Sequence, residues 1–152
     1  MIHPPRTPLS SPTDLPSLHS SCGSMEPTLK TGTYAIYNRL AYTGRGIGRG
    51  DVVAFHSDEL GLELAKRVIG IPGDEILFLG GKVIINGQPL DESGYIPEHI
   101  ETYCNKSFQV PEDCVFVMGD NREYSYDSRE YDQPYISVDC IDGKLMGQID
   151  AL

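Results

Sequence analysis

The apolar residues of this 152-residue chain occur in short segments, none longer than five residues before Gly, Pro or a polar residue interrupts it. A membrane-spanning helix needs about 20 apolar residues, and a signal-peptide core needs about 7 to 15. We therefore expect no membrane anchor in the sequence as it stands. No stretch has the 3.6-residue period of a long amphipathic helix. The pattern predicts a mostly β fold, a small folded barrel or sandwich of curled antiparallel sheets with little helix.

Strands are predicted where β-branched and aromatic residues lie between turn residues. They are residues 34–37, 51–55, 62–71, 75–79, 82–85, 108–110 and 115–118. The clearest local signal is two turn dipeptides, Gly80-Gly81 and Asn86-Gly87, each of which follows an apolar segment. Both dipeptides tolerate positive φ angles, so they predict two successive hairpins and hence a β-meander.

Residues 1–20 have a different composition from the rest, with five prolines and four serines and no period that would bury one face. Such composition is typical of segments without a packed core. We predict an unfolded arm over residues 1–21, followed by a single folded domain over residues 22–152.

The net charge of −10 arises in one region, because residues 91–142 contain 13 Asp and Glu but only 3 Lys and Arg. Nucleic-acid binding needs a basic surface, so we expect no nucleic-acid partner. The four cysteines form no CxxC pair and the histidines do not cluster near them, so no metal site is predicted. The ten-residue spacing of Cys104 and Cys114 leaves a disulfide and two free thiols as alternatives.

Ser24 follows a glycine and precedes a turn that contains a proline. Such a turn can hold a serine side chain exposed while Met25 and Leu29 pack inward. Taken alone, the pattern is more typical of a serine that merely caps a short turn.

Lys66 and Arg67 interrupt an apolar segment and must face opposite sides of a strand. A lysine that faces the core has its pKa lowered by desolvation, and its neutral amine can then act as a base. Arginine cannot do so, because its guanidinium group stays charged. The alternative is that Lys66 extends to solvent from a strand edge.

Residues 118–129 follow a hydrophobic strand and are rich in hydrogen-bonding groups. They form either an ordinary surface loop or a catalytic loop held in place by ion pairs. Ser125 is a plausible partner for a lysine amine. The charged residues available for such ion pairs are Arg67, Asp120, Asp127 and Arg129.

Together and in this order, these stretches resemble the type I signal peptidases, membrane-bound serine proteases that remove signal peptides from exported proteins. The resemblance covers about residues 22–147. It rests on Gly-Ser-Met-Glu-Pro-Thr-Leu at 23–29, Arg-Gly-Asp-Val-Val-Ala-Phe at 49–55, Lys-Arg-Val-Ile-Gly-Ile-Pro-Gly-Asp at 66–74, and Gly-Asp-Asn at 119–121 followed by Ser125, Asp127, Ser128 and Arg129.

The resemblance implies a Ser-Lys dyad in which Ser24 is the nucleophile and neutral Lys66 is the general base, with no metal and no organic cofactor. It also implies that Ser125 orients the Lys66 amine. The supporting ion pairs would be formed by Arg67, Asp120, Asp127 and Arg129.

The backbone N–H of Ser24 would supply one oxyanion donor. One branch of the family has a serine hydroxyl as the second donor where this chain has Cys22, and a thiol is a weak donor. We therefore expect reduced turnover unless a neighbouring backbone group acts as the second donor. The implied walls of the pockets that accept small side chains, in the Ala-x-Ala pattern, are Cys22, Met25, Leu29, Leu64 and Ala65.

The implied partners are preproteins that carry signal peptides, together with a membrane surface at the extracytoplasmic face. The family normally has a transmembrane segment and then a strand before the nucleophile, where this chain has Pro-rich sequence. Residues 1–21 are therefore either part of a soluble variant or a truncated or aberrant start. Two other functions stay open: a catalytically impaired relative that only binds peptides, and a self-cleaving repressor or conjugation-type peptidase with the same dyad.

Overall fold

A computed structural model describes residues 17–20 and 23–150 of the chain. These residues form eleven strands and three single 3₁₀ turns. The strands are β1 (Ser17–His19), β2 (Thr33–Asn38), β3 (Val52–Ser57), β4 (Leu62–Gly70), β5 (Glu75–Leu79), β6 (Lys82–Ile85), β7 (Gln88–Pro89), β8 (Phe108–Gln109), β9 (Cys114–Met118), β10 (Ile136–Ser137) and β11 (Ile141–Asp150). The 3₁₀ turns are Gly23–Met25, Arg122–Tyr124 and Val138–Cys140.

The strands are arranged in two antiparallel sheets. The larger sheet has seven strands in the order β1-β2-β11-β3-β4-β9-β10, and the smaller has four in the order β7-β6-β5-β8. The predicted mostly β architecture with little helix is confirmed. Across the described ranges the sheets do not close into a barrel, because the large sheet ends on two different strands, β1 and β10.

Both predicted hairpins are confirmed in the smaller sheet. Gly80 and Gly81 have φ angles of 60° and 79° and connect β5 to β6. Asn86 and Gly87 have φ angles of 51° and 82° and connect β6 to β7. Two consecutive residues at positive φ give a turn whose twist matches that of the strands it joins, which is why these dipeptides specify the meander.

Strand β4 lies between two parts of the core, because its two faces pack against different apolar clusters. On one face Leu64 and Val68 lie against a cluster around Phe55. On the other face Ala65 packs against a cluster around Met25. Since side chains alternate along a strand, Lys66 shares the first face and Arg67 shares the second, as predicted.

The prediction of an unfolded arm is wrong for Ser17–His19, and residues 1–16, 21 and 22 lie outside the described residues. Strand β1 pairs with β2, with Leu18 opposite Ala35, and the Ser20 N–H donates to the Thr33 carbonyl at 2.8 Å. Leu18 also packs against the cluster around Met25. The folded part thus begins before the predicted boundary, and the strand that leads into Ser24 is present.

Cys104 and Cys114 are free thiols, so the second of the two alternatives holds. Both side chains pack against the same apolar cluster around Phe108 and Phe116. No helix in the described part of the chain is long and apolar enough to cross a membrane.

Candidate active site

Ser24 lies in the first 3₁₀ turn, between β1 and β2, and is only 6% exposed. The turn is closed by two backbone bonds, from the Glu26 N–H to the Gly23 carbonyl at 3.2 Å and from the Leu29 N–H to the Met25 carbonyl at 2.9 Å. Met25 and Leu29 are buried beneath it. Two buried apolar side chains that follow the serine therefore fix the turn on the large sheet.

Residues 119–121 hold the backbone of the same turn. The Asn121 N–H donates to the Ser24 carbonyl and the Asn121 side-chain amide donates to the Gly23 carbonyl, both at 2.9 Å. The Asp120 N–H lies 3.4 Å from the Met25 sulfur. Ser24 is thus positioned by a loop almost 100 residues further along the chain.

Lys66 is buried in β4, with 2% of its surface exposed, so the alternative in which it extends to solvent is wrong. Val53 lies opposite it on β3, and Leu64 and Val68 flank it on its own face. Its Nζ atom lies 3.4 Å from Ser125 Oγ. Burial among apolar side chains favours the uncharged form of an amine, which is the form that can accept a proton.

Ser125 has a defined hydrogen-bond direction because its hydroxyl carries one proton. Ser125 Oγ donates that proton to Asp127 Oδ2 at 2.8 Å, so towards Lys66 it acts as an acceptor. A Lys66 N–H must then point at Ser125, and this orients the amine. The structure thus places Ser125 in contact with Lys66.

Asp127 is kept as a carboxylate by its neighbours. Burial alone would raise the pKa of Asp127. Two hydrogen bonds of 2.9 Å from the Arg129 guanidinium oppose this effect, and the Gly119 N–H and the Ser125 O–H donate to the same carboxylate. The resulting pKa lies below the ordinary value of 3.8. The Asp127 side chain is fully buried. A permanent negative charge therefore lies directly behind the hydroxyl that contacts Lys66.

Gly119 is where Ser24 and Ser125 meet. A Cβ atom at this position would lie 2.5 Å from the Ser24 carbonyl oxygen and 2.6 Å from Ser125 Cβ, and it would also overlap Ser125 Oγ. Both serines therefore pack directly against the Gly119 backbone. Any larger residue would separate them.

A second ion pair joins Arg67 to Asp120. Two parallel bonds of 2.8 and 2.7 Å connect the guanidinium to the carboxylate, and a third Arg67 bond reaches the Gly50 carbonyl at 2.6 Å. Thr28 Oγ1 donates to the same carboxylate at 2.5 Å. Asp120 thereby ties the strand that carries Lys66 to the segment that follows Ser24.

Sequence reasoning missed a second buried arginine, Arg122, in the segment 118–129. Arg122 is 3% exposed; its Nε donates to the Gly119 carbonyl at 3.0 Å, and its other nitrogens bond to Glu92 and Thr102. Arg122 directly follows the Gly-Asp-Asn motif, and this position could have marked it as a candidate site residue. Its partners Thr102 and Glu92 lie 20 and 30 residues earlier in the chain, outside the motifs identified in the sequence.

The residues predicted to line the substrate pocket are not all on one side of β4. Met25, Leu29 and Ala65 share one apolar cluster. Leu64 packs against the other cluster, on the opposite face of the strand. Cys22, predicted both as a pocket wall and as the second oxyanion donor, lies outside the described residues.

Residues 15–148 match the model of the family described as signal peptidase, peptidase S26. The chain belongs to this family. It is accordingly a serine peptidase, a hydrolase, and the predicted resemblance is confirmed.

Curated relatives include the signal peptidase I of Bacillus caldolyticus, 35% identical over 135 residues, which cover 80% of this chain and 72% of the relative. The signal peptidase IB of Staphylococcus aureus is 36% identical over 138 residues, covering 80% of this chain and 71% of the relative. The signal peptidase I of Leptolyngbya laminosa is 40% identical over 113 residues, which are 69% of this chain but 55% of the relative.

A crystal structure of a signal peptidase I from Enterococcus faecalis V583 resembles the fold. The TM-score is 0.57 at 28% sequence identity, and the match covers 67% of this chain and 98% of the other.

Proposed function

We propose that the chain removes signal peptides from exported preproteins by cutting after an Ala-x-Ala junction, with Ser24 as nucleophile and Lys66 as general base. One observation carries the proposal. The buried Lys66 amine contacts Ser125, whose proton is committed to Asp127, in the same loop that binds the backbone of Ser24. The named relatives are signal peptidases, which favours this substrate class over self-cleavage.

In the acylation step, neutral Lys66 accepts the Ser24 hydroxyl proton while Ser24 Oγ bonds to the scissile carbonyl carbon. The carbonyl π electrons move to oxygen and form an oxyanion. When this intermediate collapses, the C–N bond breaks and the Lys66 ammonium gives its proton to the leaving nitrogen, which becomes the amino terminus of the mature protein. Lys66 then takes a proton from water as the water oxygen bonds to the ester carbonyl carbon. When this second intermediate collapses, the bond from that carbon to Ser24 Oγ breaks, Lys66 returns the proton to Ser24 Oγ, and the signal peptide is released.

The surroundings of Lys66 suit a base that is charged only during the reaction. In the resting enzyme burial favours the neutral amine, and Ser125 accepts one of its hydrogens. When Lys66 takes the proton, the Asp127 carboxylate behind Ser125 stabilises the positive charge through a hydrogen-bonded chain. These hydrogen bonds orient the Lys66 amine in both its neutral and its protonated form.

The oxyanion donors are assigned by resemblance. The Ser24 N–H is one, and Cys22 stands where one branch of the family has a second. Removing a single oxyanion donor typically costs about 100- to 1,000-fold in rate. We expect Cys22→Ser to raise kcat with little change in KM, and an unchanged kcat would show that another group already serves as the second donor.

We place the reaction at the extracytoplasmic face of a membrane, where exported preproteins emerge. The support is membership of a membrane-associated family. Detergent or lipid added to the assay tests whether a membrane-like surface helps the substrate to reach the site.

The test is cleavage of a synthetic peptide with an Ala-x-Ala junction, measured with and without detergent and mapped by mass spectrometry. The matched control peptide has Phe in place of the final Ala. We expect one cut after the final Ala and no cut in the control. A folded chain that cuts neither peptide would contradict the proposal, and fluorescence anisotropy with the same peptide would then show whether the chain only binds peptides.

A further inference from the structure

Two of the arginines at the site, Arg67 and Arg122, contact residues 91–102, which we call the acidic loop. The guanidinium carbon of Arg67 lies 4.0 Å from the centre of the Tyr95 ring. Arg122, bonded to the Gly119 carbonyl, forms an ion pair with Glu92. Glu92 and Tyr95 lie outside the sequence segments that carry the family resemblance.

Glu92 connects these contacts. Its Oε1 and Oε2 accept hydrogen bonds from the two terminal nitrogens of Arg122 at 2.5 and 3.0 Å, and its Oε1 also accepts from the Tyr95 hydroxyl at 3.1 Å. Burial, together with the nearby Glu92 carboxylate, raises the pKa of Tyr95, so this hydroxyl stays a donor at every pH of interest. One carboxylate therefore orients both an arginine and the ring that covers the other arginine.

Glu92 is connected to the peptidase site through Arg122 and Gly119. The Arg122 side chain is fully buried, and a buried guanidinium needs a charged partner to stay in place. Arg122 in turn holds the Gly119 carbonyl, and Gly119 is the contact point of Ser24 and Ser125. A shift of Arg122 therefore moves the backbone against which the nucleophile and the lysine partner both pack.

We propose that Glu92 is a positioning residue of the peptidase site, acting through Arg122 on Gly119 and through Tyr95 on Arg67. The inference rests on the proposed function, because its catalytic effect presupposes that Ser24 and Lys66 carry the reaction. Glu92 itself touches none of the reacting groups. From its position outside residues 118–129, Glu92 helps to keep Ser24 and Ser125 at the spacing that the reaction needs.

The test compares Glu92→Gln and Tyr95→Phe with two matched controls in or beside the same loop. Glu98→Gln makes the same chemical change at an exposed residue, and Tyr103→Phe removes the hydroxyl of a tyrosine that is 67% exposed. Each protein is assayed for kcat and KM with the Ala-x-Ala peptide, for its melting temperature, and for amide hydrogen exchange at Gly119. The Gly119 N–H is a sensitive probe because it donates to Asp127 at 3.1 Å.

In Glu92→Gln we expect kcat to fall about 10- to 100-fold with KM within about twofold, since a displacement of about 1 Å in a site can cost 100-fold. Exchange at Gly119 should become faster, and both controls should match the intact chain. Tyr95→Phe removes one bond and keeps the ring, so a smaller change in the same direction is expected. It also provides a folded variant if Glu92→Gln does not fold.

The outcomes separate the two claims. The role of Glu92 would be overturned if Gly119 exchange and kcat both stayed at the control values. This outcome would have to hold in Tyr95→Phe and in any Glu92→Gln protein that folds. Faster Gly119 exchange in an intact fold, without cleavage even by the unmodified chain, would support the positioning role and contradict the proposed function. A fall in kcat that merely tracks the melting temperature, with Gly119 exchange unchanged, would also overturn it.

Discussion

Gly119→Ala should disable the site while leaving the fold in place. The added Cβ would lie 2.5 Å from the Ser24 carbonyl oxygen and 2.6 Å from Ser125 Cβ. Ordinary non-bonded contacts begin at about 3.5 Å, so each group must retreat by about 1 Å. Overpacking of this kind costs about 1 to 3 kcal/mol of stability, whereas a displacement of about 1 Å in an active site costs about 100-fold in rate.

The assay is kcat and KM with the Ala-x-Ala peptide, together with the free energy of unfolding from urea titration. Gly46→Ala is the control, because a Cβ there meets no atom within 4 Å. We expect Gly119→Ala to lose about 100-fold in kcat and to stay folded, with Gly46→Ala unaffected. A Gly119→Ala protein with full kcat would refute the claim that Ser24 and Ser125 are held together across this glycine.

Three further predictions concern the same loop and the cysteines. Ser125→Ala should lower kcat about 10- to 100-fold with little change in KM, because the Lys66 amine loses the acceptor that orients it; equal kcat values would contradict this. Because the pKa of Asp127 is lowered on folding, its contribution to stability is complete above the ordinary carboxyl pKa of 3.8 and is lost as the pH falls through the lowered value. Urea titrations should therefore show a smaller loss of stability in Asp127→Asn than in the intact chain below about pH 3.8; parallel losses would count against the ion pair. Since Cys104 and Cys114 are free, a reductant should not change the melting temperature, and a drop on reduction would reveal a disulfide.

The parts of the fold that could be predicted from sequence are those that depend on neighbouring residues. Gly80-Gly81 and Asn86-Gly87 specify their hairpins through backbone angles that few other residue pairs adopt. Strand β11, which lies between β2 and β3 in the large sheet, was not predicted. Its register shifts twice, between Ile141 and Gly143 and between Leu145 and Gly147, and each bulge breaks the two-residue alternation that marks a strand.

Strand β1 escaped prediction for a different reason. Three residues with one apolar side chain carry no period, and their strand conformation comes from pairing with β2. In a chain rich in proline at this end, local composition favours an unfolded segment. The partner strand lies more than ten residues away, so only the tertiary structure reveals the pairing.

The residues of the candidate site also fall into those that could be predicted from the sequence and those that could not. Ser24, Lys66 and Ser125 stand in short motifs, and the family resemblance of those motifs suggested their roles. The residue types showed which charges were available for ion pairs, but the pairing of Arg67 with Asp120 comes from the structure. The contribution of Glu92 could not be inferred, because an acidic residue in an acidic loop looks like a solvated charge. Its importance comes from a buried arginine 30 residues further along the chain.

The most direct test of the Ser-Lys mechanism is the rate of peptide cleavage by the intact chain, Ser24→Ala, Lys66→Ala and the exposed control Lys82→Ala. Each protein is first shown to be folded by its melting transition. We predict that loss of either dyad residue lowers kcat by at least about 10,000-fold, while Lys82→Ala retains full activity. Cleavage by folded Ser24→Ala or Lys66→Ala at the rate of the intact chain would contradict the assignment of nucleophile and base.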